Sequence, residues 1–356
     1  MSKHILLAAA TRNGHVERSH WGSVAVTDAQ GSLLAWAGDP HVYAFSRSTI
    51  KPFQAIPFVR DHGPSHFGFS ASEVALLCGS HSGEEAHVAA VSSMLSKIGL
   101  SERDLRCGVH LPIQYGEDNL PPAGSCFDQR HNNCSGKHTG FLGYCCMHGH
   151  DHTDYVADGH PLQQDIVREI ERLSGLRTSE LWFGTDGCSA PNIGMPLSRL
   201  AMMWARLASG ISGVSAKADT VLSEIFGAMT AHAEMVSGTG RCDLAIARAT
   251  SGDCIGKVGV DGTYVIGIKS RGLGIAIKIA DGDLSALYAT AVAVLREIGL
   301  VDDENASGLT RWDNPKLRNI RGIEVGRLQT MIHLSRSSRR APATVNQPND
   351  RFESIR

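Results

Sequence analysis

The sequence has few of the features that mark membrane, secreted or nucleic-acid-binding proteins. Its apolar segment from Ile5 to Ala10 is shorter than the roughly 7–15 residues of a signal-peptide core, and no run approaches the ~18 residues that cross a bilayer. Opposite charges nearly cancel, with 34 Lys and Arg against 36 Asp and Glu. No overall electrostatic field therefore attracts nucleic acid or an anionic membrane, and we expect a small-molecule partner.

Paired cysteines and internal repeats are also missing. The nine cysteines are an odd number in 356 residues, and no C-x-x-C pair occurs. This usage favours a reducing cytoplasm over a disulfide framework. No repeat of 20–50 residues is visible, which argues against a solenoid. The chain is 42% hydrophobic and 20% charged, as is typical of a globular protein with a sizeable core.

Apolar patterning at the two ends of the chain predicts antiparallel strands. Near the N-terminus, apolar runs at 22–27 and 33–37 flank the turn residues of 28–31, which indicates a hairpin. Near the C-terminus, runs at 254–259 and 273–279 lie on either side of an Asp261-Gly262 turn and a third apolar run. Strands at both ends around a helical middle predict one closed sheet.

Helix starts are predicted in the middle of the chain. Ser48 is expected to open a helix that runs through Arg60, and Ser70 and Ser82 each begin a capping-box pattern with a Glu three residues later. Apolar residues recur at helical spacing in three further stretches: 162–173, 196–207 and 286–298.

These patterns predict one fold class and one principal unit. We expect an α/β (α+β) protein with an antiparallel β-sheet flanked by helices and a helical subdomain. Residues 1–334 form a single unit whose helical middle covers roughly 48–250, and residues 335–356, which have no apolar period, form a mobile tail.

Ser48 and Lys51 place a hydroxyl and an amine three residues apart on a predicted helix start. A lysine can serve as the base that frees a serine hydroxyl when burial or positive charge lowers its pKa. The spacing alone is weak evidence, but Ser80 lies in a predicted interhelical loop and Lys257 on a late strand. Penicillin-binding proteins and β-lactamases present an S-x-x-K helix start, a loop serine and a K-x-G strand in the same order.

A second group of chemically active residues surrounds two cysteines in polar or glycine-rich segments, Cys134 and Cys188. Structural cysteines are usually found within apolar runs. Two thiolates would supply half of a tetrahedral zinc site, and the candidates for the other ligands are His131, His138, Asp186 and Lys137. From spacing alone, two loop cysteines without a metal are favoured over a zinc site.

Five segments together resemble the signature blocks of the Rhizobium-type L-asparaginases. They are Arg47-Ser-Thr-Ile-Lys-Pro-Phe-Gln-Ala, Gly79-Ser-His-Ser-Gly-Glu84, His131-Asn-Asn-Cys-Ser-Gly-Lys-His-Thr-Gly140, Asp186-Gly-Cys-Ser-Ala-Pro191 and Ala231-His-Ala-Glu-Met-Val-Ser-Gly-Thr-Gly-Arg241. The resemblance covers roughly residues 5–330 and follows the family order. It implies a fold similar to serine β-lactamases and β-lactamase-like glutaminases.

The resemblance also implies an activity and a set of site residues. The activity is hydrolysis of L-asparagine to L-aspartate and ammonia, with two Ser-Lys pairs, a zinc ion and a homodimer. The catalytic pairs are Ser48 with Lys51 and Ser80 with Lys257, and the zinc ligands are Cys134, Lys137 and Cys188. The candidate substrate-binding residues are Arg47, Thr49, Asp186, Glu234 and His138.

Two other classes of function stay open at this point. One is another serine acylase on the same scaffold, either a glutaminase or a β-lactam hydrolase. The other is a non-catalytic amino-acid or zinc sensor in which the Ser-Lys pairs are remnants. The role of zinc is open as well, because a zinc ion can polarise the amide oxygen or orient the substrate.

Overall fold

The computed structural model describes residues 3–116, 119–303 and 306–337. Within these residues the chain forms two antiparallel sheets surrounded by helices. The strands are β1 (Ile5–Arg12), β2 (His15–Asp28), β3 (Leu33–Ala37), β4 (Tyr43–Phe45), β5 (Trp182–Thr185), β6 (Pro191–Pro196), β7 (Cys254–Gly259), β8 (Thr263–Ile268), β9 (Leu273–Ile279), β10 (Lys316–Arg318), β11 (Glu324–Thr330) and β12 (Ser335–Arg336).

The larger sheet has nine strands drawn from both ends of the chain. Its order is β10-β11-β1-β2-β9-β8-β7, with β3 pairing with β2 and β12 pairing with β3. The long strand β2 joins the two halves, because its first part pairs with β1 and its last part, from Gly22 to Asp28, pairs with β9. The predicted sheet built from both chain ends and flanked by helices is therefore confirmed.

The helices lie mainly between β4 and β7 in sequence. They are α1 (Lys51–Gln54), α2 (Ile56–Arg60), α3 (Gly63–Phe67), α4 (Ala71–Leu77), α5 (Glu85–Lys97), α6 (Ser135–His148), α7 (Pro161–Ser174), α8 (Leu197–Ser209), α9 (Ala216–Ala231), α10 (Ala233–Val236), α11 (Cys242–Ala249) and α12 (Leu284–Glu297). Short 3-10 helices occur at Arg47–Ile50, Glu102–Asp104, Gln129–His131, Thr178–Glu180 and Ala306–Leu309. No helix in the described ranges is long and apolar enough to span a membrane.

Both faces of the larger sheet are covered. Helix α8 packs on β2, β8 and β9, and α12 packs on β1, β9 and β11. The approach of α8 is so close that a Cβ atom on Gly274 of β9 would lie 1.9 Å from the carbonyl oxygen of Ala201. Glycine at this position is required for the helix to reach the sheet.

The smaller sheet, in the order β4-β6-β5, carries the loops of the candidate site. Strand β4 leads directly into the Arg47–Ile50 turn, and β5 leads into the loop that contains Asp186 and Cys188. Strand β7 of the larger sheet lies against the same turn, because a Cβ atom on Gly259 would be 3.0 Å from the Ser46 carbonyl oxygen. The two sheets therefore meet at residues 46–51.

The structure begins one helix at Ser70, as the capping-box pattern predicts, but it does not begin the next helix at Ser82. The Ser70 hydroxyl accepts from Glu73 N, and Ser70 N donates to Glu73 at 2.7 Å, which confirms a capping box there. The prediction at Ser82 is wrong by two residues, since α5 begins after Glu84. The Ser82 hydroxyl is used elsewhere and donates to the Ser237 carbonyl.

Two further predicted segments differ in detail. The helix expected over 48–60 is a 3-10 turn followed by α1 and α2, with a proline in the first turn of each α-helix. The predicted tail begins with a short strand, because Ser335 and Arg336 pair with Trp36 and Ala35. Residues 338–356 lie outside the described residues.

Candidate active site

The Arg47–Ile50 turn is held in place by β6. Ser46 Oγ donates to the Ile193 carbonyl at 2.6 Å, and Arg47 N donates to the Asn192 side chain at 3.1 Å. Arg47 has a φ of 52°, in the left-handed region that non-glycine residues rarely adopt. Such strain is maintained only where neighbouring contacts fix the backbone, and it is common at functional sites.

Lys51 is buried, with three hydrogen-bond acceptors around its amine. Its side-chain nitrogen donates to the Gly79 carbonyl at 2.6 Å, to Ser80 Oγ at 2.8 Å and to the Asn133 carbonyl at 3.2 Å. These partners match the three N–H groups of an ammonium. If one proton leaves, two N–H groups can keep the carbonyls while the lone pair faces Ser80 Oγ. Lys51 can therefore exchange a proton with Ser80 without changing its position.

Ser48 lies beside this pair in a small cavity. The cavity has a volume of about 200 Å³, including its opening to solvent. Its walls include the predicted site residues Arg47, Ser48, Lys51, Lys137 and Asp186, together with Gln54 and Asn192. Ser48 is partly exposed, whereas Ser80 is buried. Ser48 is thus the more accessible of the two hydroxyls.

Lys257 provides a second buried amine on strand β7. Its side chain is fully buried, and its nitrogen donates to the Val258 carbonyl at 3.3 Å. Burial, and next to it the positive charge of Lys51, lower the pKa of Lys257 to about 7. Lys257 can therefore be a neutral amine near neutral pH.

Arg47 connects the cavity to two carboxylates. Its Nε lies 2.9 Å from Asp186 Oδ1, and its Nη1 donates to Asp261 Oδ2 at 2.8 Å. The first contact is close enough for an ion pair, but its angle is outside hydrogen-bond geometry, so Arg47 Nε and Asp186 Oδ1 are both buried without a hydrogen bond. A guanidinium and a carboxylate with unused hydrogen-bonding capacity can bind the carboxylate and ammonium groups of an amino acid.

The two predicted cysteine ligands come together although they lie on separate segments. The ligand atoms of Cys134, Cys188 and Asp186 lie within 4.8 Å of one another, and they form the one group of this kind among the described residues. Lys137 donates to Cys188 Sγ at 3.0 Å. The contact with Cys134, reinforced by Lys137, lowers the pKa of Cys188 well below its ordinary value, so this thiol is present as a thiolate.

His138 completes the surroundings of these thiols. Its Nδ1 lies 2.8 Å from the Tyr155 hydroxyl, while its Nε2 is buried without a hydrogen bond. Burial lowers the pKa of His138 to about 4, so its imidazole is neutral. The donor group therefore consists of two thiol sulfurs and a carboxylate oxygen, with the Lys137 amine and the His138 imidazole beside it. Sulfur and oxygen donors at this spacing, with nitrogen donors next to them, fit a zinc ion.

His131, the other histidine considered as a zinc ligand, is not part of this donor group. His131 Nδ1 is 3.1 Å from Asp128 Oδ1. In the histidine-rich segment 148–152, His148 pairs with Asp61 and His152 faces Asp104.

Three predicted substrate-binding residues are not among those that line the cavity: His138, Thr49 and Glu234. The hydroxyl of Thr49 is buried and donates to the Ser46 carbonyl at 2.6 Å, so it stabilises the turn. The side chain of Glu234 is 51% exposed and lies 3.4 Å from His232.

Several residues of the site were not predicted from the sequence. Gly79 and Asn133 act through backbone carbonyls, which no side-chain motif reveals. Asn192 and Gln54 become neighbours of Ser48 only through folding. For Asn192 a weak signal exists, since it follows the Asp186–Pro191 block directly.

The fold and the site together define a mixed α/β protein with a buried lysine–serine contact beside a pair of thiols. The chain belongs to the L-asparaginase II family, whose model matches residues 8–330. Family membership supports an L-asparaginase activity and indicates an amidohydrolase with a small-molecule substrate.

Several solved structures are similar to this chain in fold, at low sequence identity. No curated protein sequence matches the chain. The crystal structure of Mglu, a glutaminase, in its native form is 16% identical with a TM-score of 0.44, covering 81% of this chain and 67% of Mglu. A second structure of Mglu, in 4.3 M NaCl, is 17% identical over 81% of this chain and 63% of its own length, with a TM-score of 0.44. A β-lactamase from Mycobacterium bovis is 14% identical with a TM-score of 0.38, covering 78% of this chain and 94% of that protein.

Proposed function

We propose that the protein hydrolyses L-asparagine to L-aspartate and ammonia through an ester on Ser48. The observation that supports this most directly is that Ser48 lines one cavity with Lys51, Arg47 and Asp186, while Lys51 is hydrogen bonded to Ser80. A reachable hydroxyl, a buried amine and a pair of opposite charges for an amino acid are thus within one small site.

In the first half of the reaction, Ser48 Oγ attacks the side-chain amide carbon of asparagine. Lys51 in its neutral form accepts the hydroxyl proton and passes it on to Ser80 Oγ, while Ser80 gives its own proton to the departing nitrogen. Amide nitrogen leaves poorly unless it is protonated. The C–N bond breaks, ammonia leaves, and a β-aspartyl ester of Ser48 remains. The Ser48 N–H is in the first turn of a helix, where N–H groups have no intrahelical partner, and is placed to bind the oxyanion.

In the second half of the reaction, a water molecule takes the place that ammonia has left and attacks the ester carbon. A neutral amine takes a proton from the water, the C–O bond of the ester breaks, and Ser48 recovers its proton. Lys257 is suited to this step, because burial and the charge of Lys51 hold its pKa at about 7. The products are L-aspartate and the free enzyme.

Arg47 and Asp186 are proposed to bind the α-carboxylate and α-ammonium groups of the substrate. Both line the cavity, and both have polar atoms without a hydrogen bond. Cys134, Cys188 and Lys137 are proposed to hold zinc, with Asp186 and His138 beside them. A zinc ion bound there would supply positive charge that polarises or orients a neighbouring substrate group.

The direct test is ammonia release. The purified protein is assayed with L-asparagine, L-glutamine and a chromogenic β-lactam, each with and without a chelator. Turnover of asparagine well above that of the other two supports the proposal. Faster turnover of glutamine or the β-lactam identifies another acylase, and stoichiometric binding without turnover identifies a sensor.

A further inference from the structure

A buried carboxylate lies next to the strand that carries Lys257. Asp243, near the start of α11, is 1% exposed, and its Oδ2 accepts a hydrogen bond from Val258 N at 3.3 Å. Its other oxygen, Oδ1, is buried and makes no hydrogen bond of ordinary geometry in the part of the chain that the structure describes, although the Tyr264 hydroxyl lies beside this carboxylate. Burying a carboxylate with one unused oxygen is costly, so the position of Asp243 calls for a physical explanation.

The position of Asp243 relative to Lys257 supplies that explanation. Strand β7 is the last strand at its end of the larger sheet, so one of its edges has no neighbouring strand among the residues that the structure describes. In a strand, the N–H and C=O of one residue point to the same side, and both groups of Val258 have side-chain partners. Asp243 accepts from the N–H, and the Lys257 amine donates to the C=O at 3.3 Å. The carboxylate and the amine therefore bind the two polar groups of one residue.

We propose that Asp243 is a positioning residue for Lys257. Asp243 fixes the edge of β7 where the Lys257 amine is bound, and it supplies the negative charge that controls the protonation of that amine. This inference rests on the proposed function, because it assigns Lys257 the role of a proton acceptor. Asp243 itself does not touch the substrate.

The other charged and titratable groups around Lys257 make such a counter-charge necessary. They are Lys51 of α1, Arg241 directly before α11, Cys134 directly before α6 and Cys78 at the end of α4. The groups that face Asp243 are Arg241, Cys242, Tyr264 and Tyr288. Arg241 and a protonated Lys51 disfavour a proton on Lys257, whereas the charge of Asp243 favours one. Without the Asp243 charge, a smaller fraction of Lys257 would be protonated at a given pH.

The test uses Asp243→Asn, which keeps an oxygen for the Val258 N–H and removes the charge. The full-length protein is labelled with ¹³C and ¹⁵N in its lysine side chains, and the Lys257 signal is identified by its loss in Lys257→Met. We expect the titration midpoint of Lys257 to fall by roughly half to one pH unit in Asp243→Asn. The acidic limb of the pH profile of kcat should move to lower pH by the same amount.

Asp253→Asn is the matched control. Asp253 precedes β7 and accepts from Ser270 N at 2.8 Å, so it also caps a backbone N–H near the strand. We expect it to leave the Lys257 midpoint unchanged. If Asp243→Asn does not fold, Asp243→Ser provides a smaller neutral acceptor at the same position.

Unchanged Lys257 titration in a folded Asp243 variant would overturn the inference, even if the variant were less stable, because a purely structural role alters stability alone. The NMR titration needs no turnover. Absence of asparagine hydrolysis in the unsubstituted protein would therefore refute the proposed function without deciding whether Asp243 controls the charge of Lys257.

Discussion

The amine of Lys51 donates a 2.8 Å hydrogen bond to the hydroxyl of Ser80, which is 29 residues further along the chain. The sequence motif associates Lys51 with Ser48, but in the described part of the chain these two residues are joined only through the backbone, where Lys51 N–H donates to the Ser48 carbonyl. Lys51 thus has a cavity-lining serine three residues before it and a buried serine in contact with it. A single lysine placed between two hydroxyls can pass a proton from one to the other, which is what amide cleavage requires.

The roles of the two serines can be separated by mutation. Ser48→Ala and Lys51→Ala should each lower kcat by roughly three to six orders of magnitude, because a covalent nucleophile or its base is lost. Ser80→Ala should lower kcat by about two to four orders, as expected for loss of a proton relay. Initial rates of ammonia release measure these effects, with exposed Ser65→Ala as the control. Normal turnover in Ser48→Ala together with an inactive Ser80→Ala would reverse the assignment of the nucleophile.

The pH profile should report Lys257. Its amine accepts the proton of the attacking water only when neutral, and its pKa is lowered to about 7, so kcat should rise about tenfold per pH unit below 7 and level off above it. The profile is measured from about pH 5 to 10 at saturating and at limiting zinc, which separates a lysine base from proton competition for a metal. Lys257→Met should abolish the rise, and exposed Lys217→Met should preserve it. A flat profile at saturating zinc would contradict this role.

The thiol pair should bind one zinc ion per chain. We expect Cys134→Ser and Cys188→Ser to lose the metal, because each removes a thiolate donor from the group with Asp186. Elemental analysis of the purified variants measures this directly, without an activity assay. Cys146→Ser, at a partly buried position in α6 outside this group, is the control and should keep the metal. Equal zinc content in all variants would place the metal elsewhere.

Substitution of alanine at two glycines should change the free energy of unfolding in opposite directions. Gly274→Ala would force a Cβ atom against the Ala201 carbonyl and should lower the free energy of unfolding by about 3 kcal/mol. Gly227→Ala in α9, where no atom lies within 4 Å of the added Cβ, should raise it by about 0.5 to 1 kcal/mol. Urea unfolding monitored by circular dichroism measures both. A neutral effect of Gly274→Ala would mean that α8 can move away from β9.

Much of the fold was determined by local sequence. Alternating or continuous apolar runs placed the strands at both ends, and helical spacing placed α7, α8 and α12 within about two residues. The capping box at Ser70 is local as well, since Ser70 and Glu73 need only each other. The motif blocks also identified Ser48, Lys51, Cys134 and Cys188 as candidates, because residue types and spacing are visible in the chain.

Tertiary structure decided which of these residues meet. Ser82 has the local pattern of a capping box, yet its hydroxyl is bound by the Ser237 carbonyl, so α5 begins later. Lys51 contacts Ser80, which is 29 positions away in the sequence. Asp243 caps the edge of β7 beside Lys257 by accepting from Val258 N, which is 15 positions away. Short-range patterns reflect dihedral preferences and the burial of one face, whereas such contacts depend on how helices and sheets pack. For that reason the sequence indicated the chemical groups of the site, and only the packed structure set their distances, partners and charges.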